Sequence, residues 1–213
     1  MKRAKAIEVF AGETRGDELV LHANGMTCRE SFTAKDRPGN FYMVGSMGLS
    51  ASIGLGVALA LPKRDVVIWD GDGNVLMNLA MLAQVVDAKV ENFWHVCIDN
   101  EAYDSTGGQV TISRTVRLDE VARAAGYKYV ARVETPATGG EEALRAAYRA
   151  FRAARGPAFL LVKVEPGSVH GIGLDHRLRA LRSLDEQFQL ADARAFDAEL
   201  AGRTKHYHPA LSG

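Results

Sequence analysis

The chain has 213 residues, 47% of them hydrophobic, enough to bury a substantial core in one globular unit. Lysine plus arginine and aspartate plus glutamate number 26 each, so no overall field favours nucleic acid or an anionic membrane, and any anion must be bound locally. Cys28 and Cys97 are too few and too far apart for a disulfide framework or a cysteine zinc site, and read as reduced thiols.

The opening "MKRAKAIEVFAGETRGDE" sets charges among few apolar residues, unlike a signal peptide, and no uncharged apolar run reaches the ~18 residues that cross a bilayer. A soluble, cytoplasmic protein with no membrane partner is expected. Residues 3–10 suit a short helix. Residues 18–23, "ELVLHA", suit a buried strand that empties into a polar loop, "NGMTCRES". From Gly45 to Leu61 the text is apolar, small and glycine-rich, as in a helix pressed tightly against a sheet, and Pro62 stops it. "DVVIWD" (65–70) reads as a strand, and Leu76, Leu79, Ala83 and Val86 then recur at helical spacing in a helix beginning near Asn74. "FWHVCID" (93–99) is a second buried strand. A helix over 118–125, a strand ending at Val133, a helix over 141–154 and a strand over 158–164 follow. Alternation of strands with helices predicts an α/β fold, a three-layer sandwich with a mainly parallel sheet covered on both faces. Arg145, Arg149, Arg152 and Arg155, at steps of three or four, read as a solvated helix face. After Pro166 the strand pattern ends. Residues 1–168 are therefore taken as the domain and 169–213 as a C-terminal arm with one amphipathic helix over 184–200.

Ligands of parallel α/β sheets gather at the carboxyl ends of strands, and Asp72 and Asn100 each stand just past such an end, on neighbouring strands. Gly71 and Gly73 allow a sharp turn and close approach to a ligand, and backbone amides at the start of the following helix suit a phosphate. Asp72 would repel that phosphate unless a cation lay between them. A carboxylate, an amide oxygen and a carbonyl are ligands that Mg²⁺ takes, so a metal-bridged diphosphate reconciles the two. Taken alone, "GDG" also fits an ordinary strand-to-helix turn. The dinucleotide fingerprint fails, because Leu76 stands where its third glycine belongs. His22, His95 and His170 have no partner at ligand spacing, and His95, inside an apolar strand, reads as a core histidine. His206 and His208 form a lone H-x-H near the end.

The order "GSMG", "GDG", then an asparagine past the next strand resembles the cofactor motif of the thiamine diphosphate enzyme family. "FYMVGSMGLSASIGLGVALALPKRDVVIWDGDG" and "DNEAYDSTGGQ" are similar to its 2-oxo acid decarboxylase branches that act on sulfopyruvate or phosphonopyruvate. The similarity covers residues 1–168, "NGMTCRESF" included, and is absent from the tail. It implies the thiamine diphosphate-binding fold, with thiamine diphosphate and Mg²⁺ as cofactors. It also implies that Asp72, the Asn100 side chain and the Ala102 carbonyl ligate Mg²⁺, and that the amides of Gly73 and Asn74, beside Gly71, hold the diphosphate. Met47 would be the apolar wedge beneath the cofactor, although by its surroundings alone it could be core. The Gly45 carbonyl would accept from the cofactor amino group, with Ser46 between them. Thr27 is a further diphosphate contact, and Tyr103 opens a stretch to Gln109 that borders the substrate.

In this family a second, pyrimidine-binding domain supplies the glutamate that activates the cofactor. Neither the residues before Gly71 nor the tail leave room for a domain of ~150 residues. The expectation is therefore one subunit of a hetero-oligomer, paired with a separate α-type chain, that releases CO₂ and an aldehyde from a 2-oxo acid. Two alternatives stay open: a carboligase subunit of the acyloin or acetolactate type, and a cofactor-binding subunit without turnover.

Overall fold

The computed structural model describes residues 1–135 and 140–167. The proposed arm over 169–213, with its helix, His170, His206 and His208, lies outside the described residues. Seven α-helices occur among those described: α1 (Arg3–Gly12), α2 (Met26–Ala34), α3 (Ser50–Ala60), α4 (Asp72–Met77), α5 (Ala80–Asp87), α6 (Leu118–Ala125) and α7 (Glu141–Ala153). The strands are β1 (Leu19–His22), β2 (Asn40–Tyr42), β3 (Val66–Gly71), β4 (Phe93–Asp99), β5 (Ala102–Tyr103), β6 (Gln109–Val110), β7 (Tyr129–Glu134) and β8 (Ala158–Lys163). Six strands form one sheet in the order β2-β1-β3-β4-β8-β7, and every pairing in it is parallel. β5 and β6 form a small antiparallel hairpin beyond the end of β4.

Each central strand is mostly apolar on both faces because alternate residues feed opposite layers. Val66, Ile68, Phe93, Cys97, Phe159 and Leu161 pack with α3, α5 and α6. Val67, Trp69, Val96, Ile98, Leu160 and Val162 pack with α1 and α7. Fully buried large side chains such as Phe10, Phe93 and Phe151 each contribute roughly 1.5–3 kcal/mol by leaving water. The expected close seat of the small-residue helix is present: a methyl group at Gly54 would overlap Ile68 of β3. Among the described residues no helix is long and apolar enough to cross a membrane.

Four expectations need correction. The helix near the "GSMG" segment starts at Ser50 rather than Gly45, because Ser46 (φ 56°) and Gly48 (φ 90°) are left-handed and cannot continue a right-handed helix. "NGMTCRES" is largely helical, so Thr27 lies in the first turn of α2 and not in a loop. The helix expected near Asn74 starts at Asp72 and breaks at Asn78, whose side chain donates to the Gly48 carbonyl (3.2 Å) and to Ser52 Oγ (3.3 Å). The arginines expected to form a solvated face do so only in part: Arg149 and Arg155 are exposed, Arg145 is half-buried and Arg152 is buried. Arg145 and Arg149 both donate to Glu13, and Arg152 is buried against Glu18 (2.6 Å) and Asp65 (2.9 Å), its guanidinium 4.4 Å from the Trp94 ring. These contacts tie α7 to the start of the chain and to the amino end of the sheet.

Candidate functional site

β3 and β4 run side by side with Asp70 opposite Cys97 and Gly71 opposite Ile98. Asp72 and Asn100 follow those strand ends, at 2% and 3% exposure, and both line one cleft. α2 adds Thr27, the loop before α3 adds Met47, the turn into α4 adds Gly71, Gly73 and Asn74, and the loop after β4 adds Ala102 and Tyr103. The expected residues thus converge, with two exceptions. Gly45 and Ser46 are exposed on the approach to Met47 and do not form the wall.

Gly73 is a glycine for a steric reason. A Cβ there would overlap the Tyr103 ring and come within 3.0 Å of the Met47 methyl. Backbone, aromatic ring and thioether therefore meet with no room for a side chain between them. Asn74 ties the turn to the loop before α3, its Oδ1 accepting from Gly48 N at 2.9 Å.

The electrostatics centre on Asp72. Thr111 donates to its Oδ2 at 2.5 Å, and Ser113 Oγ lies 3.1 Å from the same atom. Ser113 has one proton and sits closer to Asp99, at 2.8 Å. Burial pushes the Asp72 carboxyl up to about 6; the Thr111 hydrogen bond works against this and the Asp99 charge adds to it. Asp99 is held by Lys163 at 2.9 Å. Burial works to lower the Lys163 pKa, but its hydrogen bonds to Glu101 and Asp99 raise it overall. The cation in this cluster therefore serves Asp99 and Glu101, and Asp72 is a buried acid short of positive charge.

Further along the wall, the carboxamide oxygen of Asn24 is buried with no hydrogen-bond partner among the described residues. Arg3, Asp104 and Ser105 also line the cleft. None of Arg3, Asn24, Thr111 or Ser113 was expected from the sequence. Arg3 and the hydroxyl pair lie far from the motifs they serve, and no local pattern marks them.

The two described histidines, His22 and His95, are core residues. His95 Nε2 lies 3.2 Å from Asp70 Oδ2, an atom that also accepts from Ser50 Oγ at 2.6 Å. His22 stacks on Tyr42 at 4.7 Å, and burial lowers its pKa to about 3, keeping it neutral. Among the described residues no group of three or more His, Cys, Asp and Glu side chains is arranged to hold a metal, so a cation here would depend on amide and carbonyl oxygens as well as Asp72.

The segment that builds this cleft is matched by one family model. Residues 24–162 match the thiamine pyrophosphate enzyme, C-terminal TPP binding domain. The chain belongs to the thiamine pyrophosphate enzyme family. The matched domain is the one that binds thiamine diphosphate, and the cleft lies within it apart from Arg3. The chain is 42% identical over 171 residues to phosphonopyruvate decarboxylase of Streptomyces viridochromogenes, a match covering 80% of this chain and 42% of that protein. It is 38% identical over 168 residues to sulfopyruvate decarboxylase subunit beta of Methanothermobacter thermautotrophicus, covering 79% of this chain and 84% of that protein. The chain thus spans about two fifths of the phosphonopyruvate decarboxylase and most of the beta subunit. In fold it is similar to benzoylformate decarboxylase from Polynucleobacter necessarius, with a TM-score of 0.64, 16% identity, and coverage of 79% of this chain and 34% of that one.

Proposed function

We propose that this chain is the diphosphate-binding subunit of a two-subunit thiamine diphosphate-dependent decarboxylase. Its substrate would be a 2-oxo acid such as sulfopyruvate or phosphonopyruvate, and its products carbon dioxide and an aldehyde. The observation that carries this reading is the meeting of Asp72, Asn100, Gly73 and Met47 in one cleft of a chain whose relatives are named decarboxylases.

The residues fit the group they would hold. Asp72, the Asn100 carboxamide and the Ala102 carbonyl form an oxygen set suited to Mg²⁺. A divalent ion would supply the positive charge that buried Asp72 lacks. The amides of Gly73 and Asn74 would take the diphosphate, with Gly71 giving the turn and Thr27 a hydroxyl. Met47 would support the cofactor rings from below, Gly45 would accept from the cofactor amino group, and Ser46 would join the two. Tyr103 would close the side above Gly73. When bound, thiamine diphosphate supplies an electron sink for the pair released as carbon dioxide departs. The protein's part is to bind, orient and shield the reacting carbon.

Residues 1–168 would be the working domain. The catalytic glutamate would come from a separate α-type subunit bearing the pyrimidine domain. Two features support such a partner. The beta subunit of a named two-part enzyme is matched over 84% of its length. The exposed large apolar side chains among the described residues, Val44, Leu49, Met77, Val110 and Ile112, all flank the elements that build the cleft. Exposed apolar side chains of this kind suit a protein interface.

The test is to purify the full chain with whatever polypeptide accompanies it, add thiamine diphosphate and Mg²⁺, and offer sulfopyruvate and phosphonopyruvate separately. Aldehyde and carbon dioxide are expected in equal amounts, and only when a second chain is present. Full activity from a homo-oligomer would overturn the two-subunit reading. Hydroxyketone in place of free aldehyde would assign carboligation, and cofactor binding without turnover of any 2-oxo acid would assign a non-catalytic subunit.

A further inference from the structure

Asn100 is useful to a cation only if its oxygen, not its nitrogen, faces the cleft. Within the loop after β4, Asn100 Nδ2 donates to Asp104 Oδ2 at 2.7 Å, and Asn100 Oδ1 accepts from Ala102 N at 3.3 Å. A carboxylate only accepts, so Asp104 determines which end of the carboxamide it faces.

Asp104 is itself held. Arg3 Nη1 donates to the same Asp104 Oδ2 at 3.0 Å, while Arg3 Nε and Nη2 fork onto the two oxygens of Glu30 at 2.8 and 3.2 Å. The Arg3 and Asp104 side chains are 6% and 9% exposed. A planar guanidinium in such a fork has little freedom to rotate. The relay therefore runs from Glu30 on α2, through Arg3 on α1, to Asp104, and ends on the Asn100 carboxamide.

We propose that Asp104 is a positioning residue that keeps the Asn100 oxygen turned toward a divalent cation, and that Arg3 anchors Asp104 for that purpose. The proposal rests on the reading of Asn100 as a cation ligand. Arg3 and Asn100 donate to the same Oδ2, so in Asp104→Asn the amide oxygen can take that place and accept from both. Asp104→Leu fills similar space with no acceptor, and nothing would then hold the Asn100 NH₂ away from the cation.

The experiment titrates Mn²⁺ into the full chain, with any copurifying polypeptide, in the presence of thiamine diphosphate, and follows free Mn²⁺ by electron paramagnetic resonance. Asp104→Leu is expected to weaken Mn²⁺ binding by about 10–100-fold, as for other residues that orient metal ligands, and Asp104→Asn, which keeps an acceptor oxygen, to bind near the wild-type level. Unfolding midpoints without cation confirm that each variant is folded. Should Asp104→Leu not fold, Asp104→Ala carries the comparison. Wild-type affinity in the variant without an acceptor, or an equal loss in Asp104→Asn, overturns the proposal. Asp72→Ala separates the two levels. Retained Mn²⁺ binding there overturns the cation site itself, whereas loss there with normal binding in Asp104→Leu overturns only the positioning role.

Discussion

Thr111 donates its hydroxyl to the buried carboxylate of Asp72 at 2.5 Å across 39 residues of sequence. The bond joins the segment after β6 to the turn between β3 and α4, and it opposes the effect of burial on Asp72. Thr111→Val keeps the shape and removes the donor. A hydrogen bond to a charged group contributes about 1.5–3 kcal/mol, so losing it would raise the Asp72 carboxyl further, and Mg²⁺ affinity near neutral pH should fall severalfold, by about 2- to 15-fold. Calorimetric titration with Mg²⁺ and thiamine diphosphate measures it, and an unchanged affinity would show that the bond does not tune Asp72.

The Asp72 carboxyl stands at about 6 against an ordinary 3.8. A cation must displace its proton, so cation affinity should fall as pH drops below about 6, by about tenfold per pH unit for one proton. Without cation the sign reverses for stability. The folded state holds this proton more tightly than the unfolded chain, so the contribution of Asp72 to stability is present below its unfolded pKa and is lost as pH rises through about 6. Denaturation of the cation-free protein at a series of pH values should show that decline, and Asp72→Asn should remove it.

Two glycines make opposite predictions. A Cβ at Gly156 would lie 2.6 Å from the Glu91 carbonyl oxygen and 2.7 Å from that of Phe93, and backbone cannot step aside. Gly156→Ala should cost about 1–3 kcal/mol. At Gly56, exposed within α3, nothing lies within 4 Å of the added carbon, and Gly56→Ala should stabilise by roughly 0.5–1 kcal/mol through helix propensity. Urea denaturation of the pair decides both, and equal effects would count against the packing at either place.

Both cysteines are buried and free, and burial pushes the Cys28 thiol up to about 12. Cys97 is raised as well, by burial first and then by neighbouring carboxylates. Neither should react with a disulfide reagent at neutral pH until the protein unfolds, when two thiols per chain should appear. Rapid reaction of a folded sample would contradict the burial.

Where sequence and structure agree, the local signal was strong. β4 runs from Phe93 to Asp99 and α6 from Leu118 to Ala125, as expected, because one is an unbroken apolar run and the other strongly amphipathic with Gly126 at its end. α2 was missed because much of its buried face is polar: Thr27, Glu30 and Ser31 are buried there, and a search for apolar periodicity finds no stripe. The site divides in the same way. Asp72, Gly73 and Asn100 were legible because strand ends and turns are local. Arg3, Thr111 and Ser113 were not, because their contacts depend on which elements the fold brings together, 39 to 101 residues apart in the bonds from Arg3 to Asp104 and from Thr111 and Ser113 to Asp72.

Val44, Leu49, Met77, Val110 and Ile112 also bear on how strongly the cleft can act. A charge at the mouth of an open groove is damped by the water that reaches it. If another surface settles on these five side chains, that water leaves, and the same fixed charges and amide dipoles act through a less polarisable medium. Exposed apolar side chains on neighbouring segments would then govern how strongly the polar cleft acts.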